Sequence, residues 1–244
     1  MRSAKALKQR PRKAGEKPTI SRARRSTAAV VSVSVRDRIL HAAEHLFAEH
    51  GMSGVGLRAI TAAAKVNLAS IAYHFGSKDG LLEALFAMRA APIAVERMRL
   101  LDETEAQAHD APSLEQILEA FVRPALTIGP QSPQGGHAFG RLRARLATEP
   151  EKLARKLLSK AFDQSSRRFL EAIAKALPTI PRPEVEWRFH FMLGAMFYTM
   201  ANSGRIQALT SGRCDPGDVN LAIEHLIPYL AAGFRSAPVP GNSK

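Results

Sequence analysis

Cysteine is almost missing from this chain of 244 residues: Cys214 stands alone, which excludes an intramolecular disulfide and fits a reducing compartment. Long apolar runs are missing too. The longest, residues 189–204, contains His190, Asn202 and Ser203 and is too short and too polar to span a membrane. Near the start, Val30, Val31, Val33 and Val35 are broken up by serine, so no secretory signal is expected there. Alternating strand patterns are scarce, and no internal repeat is visible. There is no glycine-rich phosphate loop, no nucleophile elbow and no carboxylate pair placed for acid–base chemistry. These absences predict a soluble, cytoplasmic, non-enzymatic protein without a membrane segment or cofactor.

Acidic residues are outnumbered, 22 against 35 lysines and arginines, for a net charge of +13. The excess is concentrated. Residues 1–34 hold ten basic residues and the single acid Glu16, so this arm carries +9 and the remainder only +4. A basic arm on a near-neutral body points to a polyanionic partner, nucleic acid or an anionic surface. With little apolar content, the arm is expected to be disordered in the free protein.

From residue 35 onward the pattern is helical. Ser34 and Asp37 have the spacing of a capping box, and Ile39, Ala43, Leu46 and Phe47 follow as one apolar stripe ended by Gly51. A short helix is predicted over 57–64, and after a turn at Lys65-Val66, Asn67 caps a third helix ending near Phe75. Ser77 can cap a fourth helix that continues to about residue 105 and should bend at Pro92. Further helices are expected at 113–128, 137–147, 150–177, 183–209 and 217–235, with "GPQSPQGG" at 129–136 a loop. That makes nine helices in an all-α fold.

Two short helices joined by a tight turn and braced by a preceding one form a helix-turn-helix unit. On the third helix Ile71 and Phe75 should face inward, leaving Ala69, Ser70 and Tyr73 outward. A major-groove reader needs such a face, low in bulk and able to hydrogen-bond. Lys78 sits at the start of the next helix, where the dipole disfavours a cation. The position suits it once a phosphate is bound by the same helix end, with Asp79 offsetting the dipole meanwhile.

The stretches "ILHAAEHLFAEHG", "LRAITAAAKV" and above all "YHFGSKDGLL" resemble the DNA-binding domain of TetR-family transcriptional regulators over residues 36–85. The resemblance implies DNA contacts at Arg58, Asn67, Leu68, Ala69, Ser70, Tyr73, His74 and Lys78. It also implies an all-α homodimer on a pseudo-palindromic double-stranded operator, with a ligand-binding C-terminal domain. Three positions depart from the family. Lys65 replaces the usual turn glycine, Leu68 a polar residue and Ala72 a tyrosine. The expected organisation is a basic arm (1–34), a helix-turn-helix domain (35–91), a ligand-binding and dimerisation domain (92–236) and a tail (237–244).

Toward the C-terminus, "EWRFHFMLGAMFYTMANSG" is apolar all round between its ends and should be buried on all sides. The stretch "PEVEWRFHFMLGAMFYTM" resembles, more loosely, TetR-type regulators that respond to fatty acids. Phe121, Leu126, Phe191, Met196 and Met200 are candidates to line a site for a small apolar ligand, such as a fatty acid or acyl thioester. Arg143 or His190 could hold a carboxylate there. Met192, Met196 and Met200 serve equally as core filler. Two competing classes remain. His41, Glu44 and His45 match the H-x-x-E-H form of a zinc hydrolase but offer no third ligand. The basic arm alone would suit a ligand-independent nucleoid or membrane-surface protein.

Overall fold

The computed structural model describes residues 34–108, 111–128, 137–149 and 151–238. The basic arm before Ser34, the 129–136 loop and the last six residues lie outside them, so the expectations for those segments are not addressed by it. Among the described residues there are ten helices and no strand.

Helix α1 (Val35–His50) begins where Ser34 accepts the Asp37 amide (3.1 Å), and its hydroxyl donates to the Asp37 carboxylate (2.7 Å). Its inner stripe, Ile39, Leu40, Ala43 and Phe47, is fully buried. Fully burying an Ile, Leu or Phe side chain contributes about 1.5–3 kcal/mol. Gly51 stops the helix at φ 74, its amide bonded to the Phe47 carbonyl. Helices α2 (Leu57–Ala64) and α3 (Leu68–Phe75) are joined by a turn in which Lys65 takes φ 54, ψ 51. A non-glycine residue in this left-handed region costs roughly 1–2 kcal/mol. The turn holds because the Val66 amide reaches the Thr61 carbonyl (3.0 Å).

Helix α4 (Lys78–Gln107) runs unbroken through Pro92 and so crosses from the helix-turn-helix unit into the rest of the molecule. It packs on α1, α3, α5 (Leu114–Thr127) and α7 (Lys152–Ala176), with α7 running beside it from Glu83 to Glu105. The predicted capping box of α5 is present: Ser113 accepts the Gln116 amide, and the Gln116 side chain accepts the Ser113 amide. Helix α6 (Ala138–Thr148) lies between α1 and α8 (Arg182–Ala201).

The single helix expected over 183–209 is two. Asn202 (φ 38) and Gly204 (φ 75) turn the chain before the short α9 (Arg205–Leu209). Gln207 fixes this corner by donating to Asn202 (2.7 Å) and Asp215 (3.0 Å). Apolar periodicity concealed a break that the Asn-Ser-Gly chemistry encoded. Helix α10 (Val219–Arg235), capped by Asp218, packs on α5 and α8. Its C-terminal carbonyl at Phe234 accepts from Arg188 (2.7 Å), which also pairs with the buried Glu184.

Helix α8 is covered by its own chain on one face only. Val185, Phe189, Met192, Met196 and Met200 are buried, while Trp187, Phe191 and Tyr198 are more than half exposed. Apolar composition on every side requires cover, but it cannot say whether the same chain supplies it.

Candidate nucleic-acid interface and effector groove

Helix α3 is held by a single fully buried side chain, Ile71, with Phe75 half-buried beside it. This leaves Leu68, Ala69, Ala72 and Tyr73 exposed, Tyr73 at 86%. Ser70 and His74 are half-buried, and Arg58 stands exposed on α2. The Asn67 side chain accepts both the amide and the hydroxyl of Ser70 (2.9 Å each), fixing the start of α3. Seven of the eight sequence-predicted contact positions lie on α3, at its cap or at the start of α4, while Arg58 stands at the N-terminal end of α2. The Tyr73 ring meets His74 edge-on (4.9 Å), and Arg36 from α1 lies over Phe75 (5.5 Å).

Lys78 is not suspended in solvent. Its ammonium donates to the Met52 carbonyl just beyond α1 and lies 5.8 Å from the centre of the Phe47 ring. The dipole cost at the α4 N-terminus is thus offset by a carbonyl at the opposite pole of another helix. Ser77 takes the Gly80 amide.

The H-x-x-E-H group is used differently from a zinc site. Glu44 is 1% exposed, and Arg89 on α4 binds its carboxylate at 2.6 Å and meets His41 Nδ1 at 3.3 Å. Burial, then Arg89, lowers the His41 pKa below its ordinary value. Among the described residues no three His, Cys, Asp or Glu side chains are grouped to hold a metal ion.

A groove of about 970 Å³ opens between α1, α4, α6, α7 and α8. Of the seven predicted ligand residues, it brings together Arg143, His190 and Met196. Phe121 lies behind it, in edge contact with Phe169 and Phe189. Leu126 and Met200 line a separate cavity of about 30 Å³. Phe191 points outward, stacked on Trp187 (5.9 Å). The groove also contains residues that the sequence reading missed: Arg97, Phe162, Leu193 and Phe197. Arg97 was detectable, because it occupies a core position in the series Ala90, Ile93, Arg97, Leu101.

Both arginines are 1% exposed. Arg97 donates from Nε to the Phe121 carbonyl (2.8 Å), lies 3.6 Å from the Phe121 ring centre and reaches Met196 Sδ at 3.6 Å. Arg143 lies 4.4 Å from the Phe162 ring centre and contacts Met200 Sδ at 3.7 Å, while its Nε has no partner. Burial pushes the Arg143 pKa down to about 10. Burial and then Arg143 lower that of Arg97.

The groove borders the helix-turn-helix unit through Ala48 and Glu49. There Arg145 of α6 donates to the Glu49 carbonyl (2.9 Å), and Ser53 donates to Glu151 (3.1 Å). Burial, then Glu151, raises the Glu149 pKa, and its Oε2 is buried without a hydrogen-bond partner.

Comparison with known proteins agrees with this anatomy. Residues 39–85 match the model described as "Bacterial regulatory proteins, tetR family", and residues 119–233 match "Tetracyclin repressor-like, C-terminal domain". Over 47 residues the chain is 55% identical to the HTH-type transcriptional regulatory protein RaaS of Mycobacterium tuberculosis, covering 19% of this chain and 22% of that one. Over 55 residues it is 44% identical to a Bacillus subtilis protein named "Probable HTH-type transcriptional regulator YttP", covering 22% and 27%. The matched part is thus about a quarter of either relative. The fold as a whole resembles the TetR-family regulator PfmR of Thermus thermophilus, with a TM-score of 0.57 at 15% identity over 84% of this chain and 98% of that one. It also resembles the fatty acid degradation regulator FadR of Bacillus halodurans, with a TM-score of 0.55 at 17% identity over 83% and 97%. No described helix is long and apolar enough to cross a membrane. The helix-turn-helix unit and the helical C-terminal part together assign the chain to the TetR family of DNA-binding transcriptional regulators.

Proposed function

We propose that the protein is a cytoplasmic, homodimeric repressor that leaves its operator when a small apolar ligand enters the C-terminal part. Residues 35–91 act as the DNA reader and 92–236 as the ligand-binding and dimerisation part. The observation carrying the DNA-binding half of this reading is the α3 surface, where Tyr73 is 86% exposed beside the small residues Ala69 and Ala72. Such a face can enter the major groove, with Tyr73 and Ser70 at base edges or backbone. Arg58, Asn67, Leu68, His74 and Lys78 complete the contact set. Lys78 can exchange its carbonyl partner for a phosphate, a stronger, charge-assisted bond.

Dimerisation is supported by the outward faces of α8 and α10, where Trp187, Phe191, Tyr198 and Tyr229 are exposed. Large aromatic side chains of this kind favour a protein interface over water. Ligand control is supported by the groove's position, with α1 and α6 both on its wall. An occupant preferring one α1–α6 arrangement shifts the population toward it, and the subunit spacing with it. The fatty acid named for the Bacillus halodurans regulator is one candidate for such an occupant.

Footprinting of the purified protein on DNA upstream of its own gene tests the reading. The expected result is one protected segment with two similar half-sites about one helical turn, or a multiple of it, apart. Uniform binding with no defined boundary would overturn it in favour of a nucleoid-type protein.

A further inference from the structure

Arginine side chains are rarely buried without an acid beside them, because removing a guanidinium from water is costly unless an anion compensates. Arg97 and Arg143 are buried to 1% exposure on different helices, and both line the same groove. Among the described residues, no carboxylate lies within ion-pair distance of either. The other buried arginine, Arg188, has Glu184. The two acids on the groove wall are engaged elsewhere: Asp163 accepts from Ser159 and pairs with Arg167, and Glu49 pairs with His50.

The present partners of the two guanidinium groups are weak ones: two methionine sulfurs, the rings of Phe121 and Phe162, and one backbone carbonyl. The Phe162 ring is shared, 5.6 Å from Arg97 Cζ and 4.4 Å from Arg143 Cζ, so both charges lie around one point. Arg143 Nε is a buried donor with nothing to donate to. Two unneutralised cations around one ring repel each other, and burial first, then Arg143, lowers the Arg97 pKa.

We propose that Arg97 and Arg143 form the anion seat of the effector site, binding the carboxylate of an amphipathic organic acid. The apolar body of that acid lies along Leu158, Leu193 and Phe197 on the same groove wall. This rests on the ligand-responsive reading above and narrows it. The free acid is the ligand, because an acyl thioester has no charge at the carbonyl end that reaches the arginines. A planar carboxylate can accept two parallel N–H bonds from one arginine and a third from the other. The buried, aromatic surroundings of the two guanidinium groups strengthen these bonds and reject neutral or cationic head groups.

The test is a head-group series on one ten-carbon chain, measured by calorimetry on the full-length protein without DNA. The probes are decanoate, decyl phosphate, 1-decanol and decylammonium. Decanoate should bind at least about tenfold more tightly than decanol, as charge-assisted hydrogen bonds in a buried site require, and decylammonium should not bind. Preference for decyl phosphate over decanoate would replace the carboxylate by a phosphate and overturn the assigned ligand class. Arg143→Met and Arg97→Met should each remove most of the decanoate-to-decanol ratio. Equal affinity for acid and alcohol, absence of decanoate binding, or a ratio that survives both substitutions would overturn the proposal. The wild-type series stands even if a variant fails to fold. Because no DNA is present, an intact decanoate preference beside a failed footprint would refute the repressor reading and spare the anion seat.

Discussion

Two positions in the middle of α4, about two turns apart, handle buried charge in opposite ways. Near the helix-turn-helix unit, Arg89 meets Glu44 at 2.6 Å, so a carboxylate that is 1% exposed has its counter-charge. About two turns further along, Arg97 is equally buried and has only a carbonyl, a sulfur and aromatic rings. The first arrangement is complete as it stands and locks α1 to α4. The second, together with Arg143, is incomplete and confers a demand for an anion. On the anion-seat proposal, the contrast separates charge used to hold a fold from charge held in reserve for a ligand.

Removing one partner of the complete pair should have the largest effect. Arg89→Met leaves Glu44 buried and unpaired, and urea denaturation should show a loss of about 3–5 kcal/mol. A loss below about 1 kcal/mol would mean that Glu44 protonates or reaches water, and the contrast would fail. The same substitution at the incomplete site should act in the other direction. Arg143→Met replaces an uncompensated cation with an apolar side chain among Phe139, Phe162 and Phe197. Without ligand, stability should be unchanged or raised by up to about 4 kcal/mol in the same urea experiment. A large destabilisation would make Arg143 a structural residue.

A third cation, Lys78, lies between these cases: half-buried, and bonded to the Met52 carbonyl. Lys78→Ala should weaken binding to all DNA sequences about equally. The slope of log K against log salt should fall by about 0.9, one phosphate's share. Fluorescence anisotropy over a salt series reads this directly, and an unchanged slope would confine Lys78 to its resting role on α1.

The smallest effect is expected at Glu149, on the α6 side of the junction with α1. Its pKa is raised by burial and then by Glu151, so the folded protein binds its proton more readily than the unfolded chain does. Its charge therefore opposes folding once pH rises through the folded-state pKa, and this penalty vanishes below the ordinary carboxylate range. Glu149→Gln should give a modest rise in Tm at about pH 7 that disappears as pH falls toward about 4. A gain independent of pH would assign the effect to hydrogen bonding instead.

The DNA-facing part of the protein was readable in advance because its signals are local. Asn67 caps α3 through an amide three residues away, and Lys65 turns the chain with its own φ of 54. Fully buried Ile71 and half-buried Phe75 anchor α3, as their i, i+4 spacing predicts. The groove in the C-terminal part was readable only in part. Of the candidate ligand residues, Arg143, His190 and Met196 line it together, but Arg97 was overlooked because an arginine in a core register is easily taken for a helix-surface residue. Phe191 was grouped with the pocket because α8 is apolar on both sides, and sequence pattern does not distinguish a core-facing side from one that faces solvent in the single chain.

By itself, the sequence determined the helices, their caps and the turn before α3, since each rests on contacts within about four residues. Only the tertiary structure decided which charges are paired. Glu44 and Arg89 are 45 positions apart, and Arg143 meets Met200 across 57. Such pairings depend on which helices pack together and at what register, and no local pattern carries that information. The uncompensated state of Arg97 and Arg143 therefore emerged only when α4, α6, α7 and α8 were brought around one groove.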